Sequence, residues 1–234
     1  MSIKIDKKAR NFLARFIFES DAIEGIIDDS ALLKWQLNRR NKLGHVGALL
    51  YLESLARDPY CHLGHHDICY VQRLITAEQH RKPGGRRLQQ EYIGRYRSIG
   101  VSIVQRSGGM IISQKKMPDF WHVPDLMVKW LKEVDTGLLK ASRLSRSELI
   151  RHFAHWHFQY EQIHPFVDGN GRSGRALVYF LFRRCNLEPF IFTSGDKVET
   201  YYRCFEDQKA MAAYFRTRTY TGALKKMSDS LGDD

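Results

Sequence analysis

The chain has 234 residues, 43% hydrophobic and 27% charged, with a formal net charge of +11 at pH 7. This length suits one domain with one core. No apolar run reaches membrane-span length and the first residues lack a signal-peptide core, so we expect a soluble, cytoplasmic protein that does not enter the membrane. The positive charge fits an acidic ligand or partner, but it is spread over many segments and predicts no nucleic-acid binding by itself.

Apolar residues recur at helical spacing along most of the chain. The pattern predicts helices over 6–22, 30–57, 66–80, 124–135, 146–163, 171–186, 196–208 and 210–227. The glycine-rich stretch 81–87 is predicted to be a loop, and 228–234 a disordered tail. We therefore predict one all-α domain over residues 1–234, with the single β-hairpin described below.

The segment Cys61 to Cys69 contains five histidine and cysteine residues, all possible zinc ligands, at the start of a predicted helix. Zinc sites usually bring paired ligand elements together from two places in the chain. No C-x-x-C pair occurs here, which also argues against a disulfide framework. Incidental histidines at a helix entry are the favoured interpretation, and a zinc site is the alternative.

Two β-branched runs flank glycines in the middle of the chain. Val101-Ser102-Ile103-Val104 precedes a turn at 107–109, and 110–112 continues with Met-Ile-Ile. Such runs around glycines are typical of a hairpin. The hairpin region is predicted to span 92–118.

The most informative segment follows the helix predicted over 146–163. It reads His164-Pro165-Phe166-Val167-Asp168-Gly169-Asn170-Gly171-Arg172-Ser173-Gly174-Arg175. Gly169 and Gly171 leave the backbone open where a helix begins, and the free amides and dipole of a helix N-terminus favour an anion. Arg172 and Arg175 are three residues apart, so they share one helix face and can reach the same charged ligand.

Two further side chains define the expected chemistry of this segment. Asp168 would repel a phosphate unless a cation such as Mg²⁺ bridged the two. His164 has an unperturbed pKa near neutrality and can accept a proton. Residues 169–174 also spell G-x-G-x-x-G, but a dinucleotide fingerprint needs a preceding strand, whereas 147–163 has helical spacing. The set suits holding a polyphosphate and deprotonating a hydroxyl.

The segment resembles the signature of Fic-domain proteins, H-x-F-x-(D/E)-(A/G)-N-(G/K)-R-x-x-R, at every specified position. The preceding His157-x-x-Tyr160-Glu161-x-Ile163 is also similar to the family. The resemblance implies a mostly helical fold with a catalytic loop and helix over 164–186. It also implies transfer of AMP from ATP to a Tyr, Thr or Ser hydroxyl of a target protein, and of the protein itself.

The resemblance further implies a role for each motif residue. His164 would be the base, Phe166 the buried anchor of the loop, and Asp168 the Mg²⁺ ligand. Asn170 and the amides around 169–172 would form the anion hole. Arg172 would meet the β-phosphate and Arg175 the γ-phosphate. The family's kinase branch carries lysine after the asparagine, and glycine at position 171 favours nucleotidyl transfer.

A second motif lies near the start of the chain. Ser20-x-x-x-Glu24-Gly25 is similar to the family's inhibitory motif, (S/T)-x-x-x-E-(G/N). The resemblance implies an inhibitory helix within residues 1–28, whose Glu24 pairs with Arg175 and displaces the γ-phosphate of ATP.

The resemblance also implies roles outside these two motifs. The hairpin resembles the family flap, which would dock target backbone along Val101, Ser102, Ile103 and Val104 by strand addition. Tyr201 or Tyr202 would border the adenine pocket, although an aromatic pair at this spacing is also typical of a core. A homo-oligomer is compatible with the sequence, and the target protein is not indicated.

Three alternatives stay open. His157, Glu161 and His164 resemble half of a di-iron motif, although the chain contains no second E-x-x-H. Glu24 would position water if the protein removed AMP from a modified target. A nucleotide-sensing or binding module with little catalysis is the remaining alternative, and an intact His164 argues against it.

Overall fold

Helices form most of the fold, and one short hairpin is the only sheet in the described part of the chain. The computed structural model describes residues 6–38, 43–107, 110–196 and 200–231. The helices are α1 (Lys7–Ile23), α2 (Ser30–Asn38), α3 (Gly44–Arg57), α4 (His65–Thr76), α5 (Val123–Leu139), α6 (Arg146–Ile163), α7 (Asn170–Arg184) and α8 (Gln208–Leu231). The strands are β1 (Ser102–Ser107) and β2 (Met110–Lys116). The predicted fold class, all-α with a small hairpin, is confirmed.

Helix α7 lies at the centre of the packing. It contacts α1, α3, α4 and α6, and every residue from Ala176 to Phe182 is buried. The sequence predicts one buried face, but because helices approach from several sides, the structure buries the remaining faces too. The N-terminus of α7 is therefore held by the core of the protein.

Helix α6 leads directly to the motif segment. Its first turn is closed by a capping box, in which the Glu148 amide donates to Ser145 Oγ at 3.3 Å and the Ser145 amide donates to Glu148 Oε2 at 2.8 Å. The helix packs against α5, α7 and α8. It ends at His164, so the packing of α6 sets where the motif begins.

Two predicted helices are wrong in extent. The helix predicted over 30–57 is two helices, because Leu43 is extended and Gly44, the first residue of α3, has a φ of +65°, which the interior of a continuous right-handed helix does not allow. Residues 39–42 lie outside the described residues. In the segment predicted to be helical over 196–208, the structure has a 3-10 turn at Tyr202–Phe205, beside a fully buried Tyr201. Side-chain packing outweighs helix propensity there.

The other boundaries differ by smaller amounts. Helix α4 ends at Thr76 and is followed by a 3-10 turn at Gln79–Arg81. Helix α8 continues to Leu231, so the predicted disordered tail overlaps its last turn and otherwise lies outside the described residues. Among the described residues, no helix is both long enough and apolar enough to cross a membrane.

The hairpin pairs β1 and β2 antiparallel. Ser102 lies opposite Lys116 and Ser107 opposite Met110, with an irregularity between Gln105 and Arg106. The predicted turn glycines, 108 and 109, lie outside the described residues. This register brings the start of β1 beside the end of β2 at Lys116. The chain then continues from residue 117 into α5.

Candidate active site

The loop between α6 and α7 is closed by its own asparagine. The Phe166 amide donates to Asn170 Oδ1 and Asn170 Nδ2 donates to the Phe166 carbonyl, both at 2.9 Å. Phe166 is fully buried, as predicted for the anchor of the loop. These two bonds fix the side chain of Asn170 within the loop and leave one N–H of Nδ2, together with the backbone amide, for an anion.

The N-terminus of α7 has the geometry of an anion site. Its first intrahelical bond runs from the Ser173 amide to the Gly169 carbonyl, at 2.9 Å, and the amides before position 173 have no intrahelical acceptor. Gly169 has a φ of +83°, and a Cβ there would lie 2.7 Å from Thr76 Cγ2. Glycine is therefore required at 169 by conformation and by space.

His164 ends α6 in the left-handed conformation, with φ 50° and ψ 63°. Its carbonyl accepts a 2.8 Å bond from Arg97 Nε, and its Nδ1 is buried without a partner among the described residues. Burial, followed by the positive charge of Arg97, lowers the pKa of His164 to about 4. The imidazole is consequently neutral at neutral pH and keeps a lone pair, and the same shift makes it a weaker base than a free histidine.

Asp168 presents a partly exposed carboxylate beside this helix start. Its Oδ1 accepts from the Gly169 amide at 2.6 Å and its Oδ2 from Gln79 Nε2 at 2.7 Å. The side chain is 37% exposed, so it is open to solvent on one side. Mg²⁺ commonly binds through one or two carboxylates plus substrate phosphates, and a single open carboxylate next to an anion site fits that requirement.

Arg172 lies within hydrogen-bond reach of Asp168 but pairs more closely with an amide. Its Nη2 donates to Gln79 Oε1 at 2.6 Å and lies 3.3 Å from Asp168 Oδ1. Its side chain is 3% exposed, and Nε has no partner among the described residues. A buried guanidinium with an unused N–H is chemically suited to a phosphate oxygen.

Arg175 is brought together with the motif at the end of α1. Its Nε donates to Ser20 Oγ at 2.9 Å, and its Nη2 donates to the Ser20 carbonyl and to Glu24 Oε1, each at 2.8 Å. Burial would lower the pKa of Arg175, but the Glu24 carboxylate raises it overall. The arginine predicted to bind the γ-phosphate is thus occupied by this chain's own carboxylate.

Gly171 leaves the space that Glu24 fills. A Cβ at position 171 would lie 2.4 Å from Glu24 Oε1 and 3.0 Å from Arg175 Nη1. Glu24 is the C-cap of α1, and the next residue, Gly25, has a φ of +76°, which ends the helix. The glycine that the sequence associates with reaction type therefore also admits the carboxylate of Glu24.

A lysine holds the chain on both sides of Glu24. Lys82 Nζ lies 2.8 Å from Asp21 Oδ2 and 2.7 Å from Asp28 Oδ1. A Cβ on Gly84 would lie 2.0 Å from the Gly25 carbonyl oxygen, so the predicted loop 81–87 packs closely against this segment. The end of α1 is thereby held in place independently of the Glu24–Arg175 pair.

The two tyrosines of the predicted adenine pocket differ in exposure. Tyr201 is fully buried; its hydroxyl lies 2.8 Å from His157 Nε2, and its ring lies 5.8 Å from Arg175 Cζ. Tyr202 is half-buried. A fully buried ring has no face left for a base, so the geometry favours Tyr202, and the assignment stays a prediction.

The hairpin is joined to the motif loop through Arg97. This guanidinium is 2% exposed and donates to the Pro118 carbonyl at 2.5 Å, at the end of the hairpin, as well as to His164. Ser102 and Ile103, two of the predicted docking residues, are exposed. Val101 instead accepts a bond from the Met117 amide at 3.2 Å.

Comparison with known proteins decides the family. Residues 62–182 match the family model described as Fic/DOC family. The chain belongs to the Fic/DOC family. The matched range contains α4, the hairpin, α5, α6 and most of α7, which together build the loop and helix start described above.

Curated relatives of this Fic/DOC protein carry the name protein adenylyltransferase fic-1. The one from Caenorhabditis elegans is 23% identical over 92% of this chain, and the one from Caenorhabditis briggsae is 22% identical over 92%. The chain spans only 42% and 43% of their lengths. The family to which this chain belongs therefore includes proteins named as protein adenylyltransferases.

Solved structures share the fold. A Fic domain containing signaling protein from Bacteroides thetaiotaomicron has a TM-score of 0.68 and 21% identity, covering 90% of this chain and 84% of that one. Fic-1 from C. elegans has a TM-score of 0.66 and 18% identity, covering 97% of this chain and 66% of that one. These likenesses show the Fic fold.

The residues weighed for metal binding have separate partners in this Fic/DOC protein. His62 Nδ1 lies 2.6 Å from Asp135 Oδ1 and His65 Nδ1 lies 2.7 Å from the Tyr96 hydroxyl. Across residues 6–38, 43–107, 110–196 and 200–231, no three His, Cys, Asp or Glu side chains are grouped to hold a metal. Neither the zinc nor the di-iron alternative gains support from the structure.

Several site residues were missed by the sequence analysis. Gln79 and Arg97 contact motif residues, and Lys82 pairs with Asp21 and Asp28 on either side of Glu24, yet none of them stands in the motif. Arg97 lies within the segment predicted as the hairpin region, 92–118, which gives it no role at the motif. No local pattern marks a glutamine or lysine in a loop as a site residue, because its contact depends on how α4 packs against α7.

Acid is expected to destabilise the fold through His157. Burial lowers the pKa of this imidazole to about 3, compared with about 6.5 in an unfolded chain. Between these values the unfolded chain holds a proton that the folded chain does not, so the free energy of unfolding falls as pH falls, by about 1.4 kcal/mol per pH unit. Urea unfolding measured from about pH 7 to about pH 4.5 tests this slope.

A matched pair of variants isolates the contribution of His157. His157→Phe should make the slope shallower, whereas His152→Phe, at an exposed position of the same helix, should leave it unchanged. Burial raises the pKa of Glu161 to about 8, so this carboxyl lowers the free energy of unfolding as pH rises, opposite to the effect of His157. Both variants retain Glu161, so the comparison between them is unaffected. An identical slope in His157→Phe and the parent protein would contradict the prediction.

Proposed function

We propose that this chain is a protein adenylyltransferase that uses ATP with Mg²⁺ to modify a Tyr, Thr or Ser hydroxyl. The observation that carries the proposal is that the loop between α6 and α7 has a possible base at its start and a possible phosphate site at its end. A neutral imidazole on His164 precedes the loop, and the open amides of α7 with the buried Arg172 follow it. That arrangement supports a hydroxyl being deprotonated beside a bound phosphate chain.

The proposed reaction is an in-line displacement at the α-phosphorus. The target hydroxyl oxygen attacks, and its proton passes to His164. A bond forms between that oxygen and the α-phosphorus, while the bond from the α-phosphorus to the bridging oxygen breaks and pyrophosphate leaves. Arg172 and Arg175 offset negative charge on the departing phosphates. A bound Mg²⁺ on Asp168 would supply further charge neutralisation.

We also propose that Glu24 restrains the reaction. Its carboxylate pairs with Arg175 and lies next to position 171, where a negative charge opposes the terminal phosphate of ATP. Removing that charge would open the site. The motif around Ser20 supports this proposal, as does the 2.8 Å contact between the carboxylate and the guanidinium.

The reaction type is tested with the Glu24→Gly protein and ATP labelled at the α- or the γ-phosphorus. We expect label on the protein itself from α-labelled ATP alone. Label from the γ position would show a kinase and overturn the proposal. Bound nucleotide without any transferred label would favour a sensing module. Release of AMP from pre-modified protein by the parent chain, which retains Glu24, would favour the reverse reaction. Glu91→Gly, at an exposed glutamate, is the control.

A further inference from the structure

Gln79 connects the two charged groups that the proposed function places on the phosphates and the cation. It is the first residue of the 3-10 turn after α4 and is 3% exposed. Its Nε2 donates to Asp168 Oδ2 at 2.7 Å and to the Arg86 carbonyl at 2.8 Å. Its Oε1 accepts from Arg172 Nη2 at 2.6 Å.

Only a side chain with a donor and an acceptor on neighbouring atoms satisfies both partners. The carboxylate of Asp168 needs a donor and the guanidinium of Arg172 needs an acceptor, and an amide supplies both. The direct contact between Asp168 Oδ1 and Arg172 Nη2 is 3.3 Å, longer than either bond to the amide. The amide of Gln79 thus forms a hydrogen bond with one oxygen of the carboxylate and another with one nitrogen of the guanidinium.

The surroundings hold this amide in place. A Cβ on Gly85 would lie 1.9 Å from the Gln79 carbonyl oxygen, so the following loop closes tightly over the turn. Gln72, from the last turns of α4, donates to the backbone carbonyl of Asp168 at 3.0 Å. Backbone and side chain of Asp168 are therefore both oriented from α4 and its following turn.

We propose that Gln79 is a positioning residue that limits the ion pair between Asp168 and Arg172 to one long contact of 3.3 Å, so that the carboxylate remains available to a divalent cation and the guanidinium to a phosphate. The inference rests on the proposed function. Without the amide, a full carboxylate–guanidinium pair would form and neutralise both groups. Cation and nucleotide would then lose their ligands together.

The test measures ATP affinity by calorimetry, with MgCl₂ and with EDTA, in the Glu24→Gly background. The readout is the gain in affinity that Mg²⁺ provides. Gln79→Leu has a similar volume and removes the bonds to Asp168 and Arg172 together with the bond to the Arg86 carbonyl. We expect its affinity for ATP in MgCl₂ to fall about tenfold, and the ratio of the affinities with and without Mg²⁺ to fall towards one. A purely structural role would weaken binding equally with and without Mg²⁺.

A second variant is expected to increase the gain in ATP affinity that Mg²⁺ provides. Gln79→Glu keeps the acceptor for Arg172 and sets a second carboxylate beside Asp168. At about pH 8 we expect weaker binding in EDTA and a larger gain from Mg²⁺, because two adjacent carboxylates repel each other and attract a cation. Gln90→Leu, in an exposed turn, should retain the parent's affinities.

The outcomes separate this inference from the proposed function. Opposite shifts of the Mg²⁺ gain in the two variants support the positioning role. An unchanged gain in Gln79→Glu, and in Gln79→Leu where the latter folds with the parent's melting temperature, overturns it while the proposed function stands. Failure of the Glu24→Gly parent to bind ATP would overturn the proposed function, and this inference with it.

Discussion

Replacing His164 should stop AMP transfer while ATP still binds. Its imidazole is the side chain placed to take the hydroxyl proton, and burial with the neighbouring Arg97 lowers its pKa to about 4. Loss of a general base costs about 10²–10⁴ in rate. The measurement is incorporation of α-labelled AMP into the Glu24→Gly protein, with and without the second substitution, beside ATP affinity from calorimetry.

The choice of substituent matters because His164 is left-handed, with φ 50°. Asparagine tolerates this conformation better than alanine does. His164→Asn should therefore retain the loop, and His164→Ala should be equally inactive but less stable. His152→Ala, at an exposed position, is the matched control and should transfer AMP normally. Turnover near the parent's rate in His164→Asn would remove His164 from the role of base.

Removing Glu24 should raise ATP affinity on the order of tenfold to a hundredfold, since like charges held close together cost several kcal/mol. In Glu24→Gly, Arg175 retains its two bonds to Ser20 and loses its bond to Glu24. Its guanidinium can then donate to a phosphate oxygen. Lys82 still holds Asp21 and Asp28, so the end of α1 should stay docked. AMP transfer should rise together with ATP affinity.

Glu24→Gln distinguishes the effect of the negative charge of Glu24 from the effect of the volume of its side chain. The amide occupies the same volume beside Gly171 but carries no negative charge, so we expect an affinity between those of the parent and Glu24→Gly. Glu91→Gly should behave as the parent. Equal ATP affinity and equal transfer in the parent and Glu24→Gly would refute inhibition by Glu24.

The motif segment was predictable because its geometry is local. Residues 164–175 form one loop and the first turns of one helix, so the glycines, His164 and Phe166 are placed by their own neighbours in sequence. The side chain of Asn170 shows the limit of such reasoning. The resemblance assigns it to the anion hole, which stays a prediction, and only the structure shows that its side chain also closes the loop onto Phe166.

By itself, the sequence determined the helical class, the hairpin and the order of chemical groups along the motif, because these follow from periodicity and short spacing. The family resemblance, and no local pattern, implied that Glu24 meets Arg175 across 151 positions, a contact that the structure contains. Tertiary structure alone decided that Gln79 bridges Asp168 and Arg172. Such contacts depend on how α1 and α4 pack around α7, and that packing is a property of the whole core that no local pattern encodes.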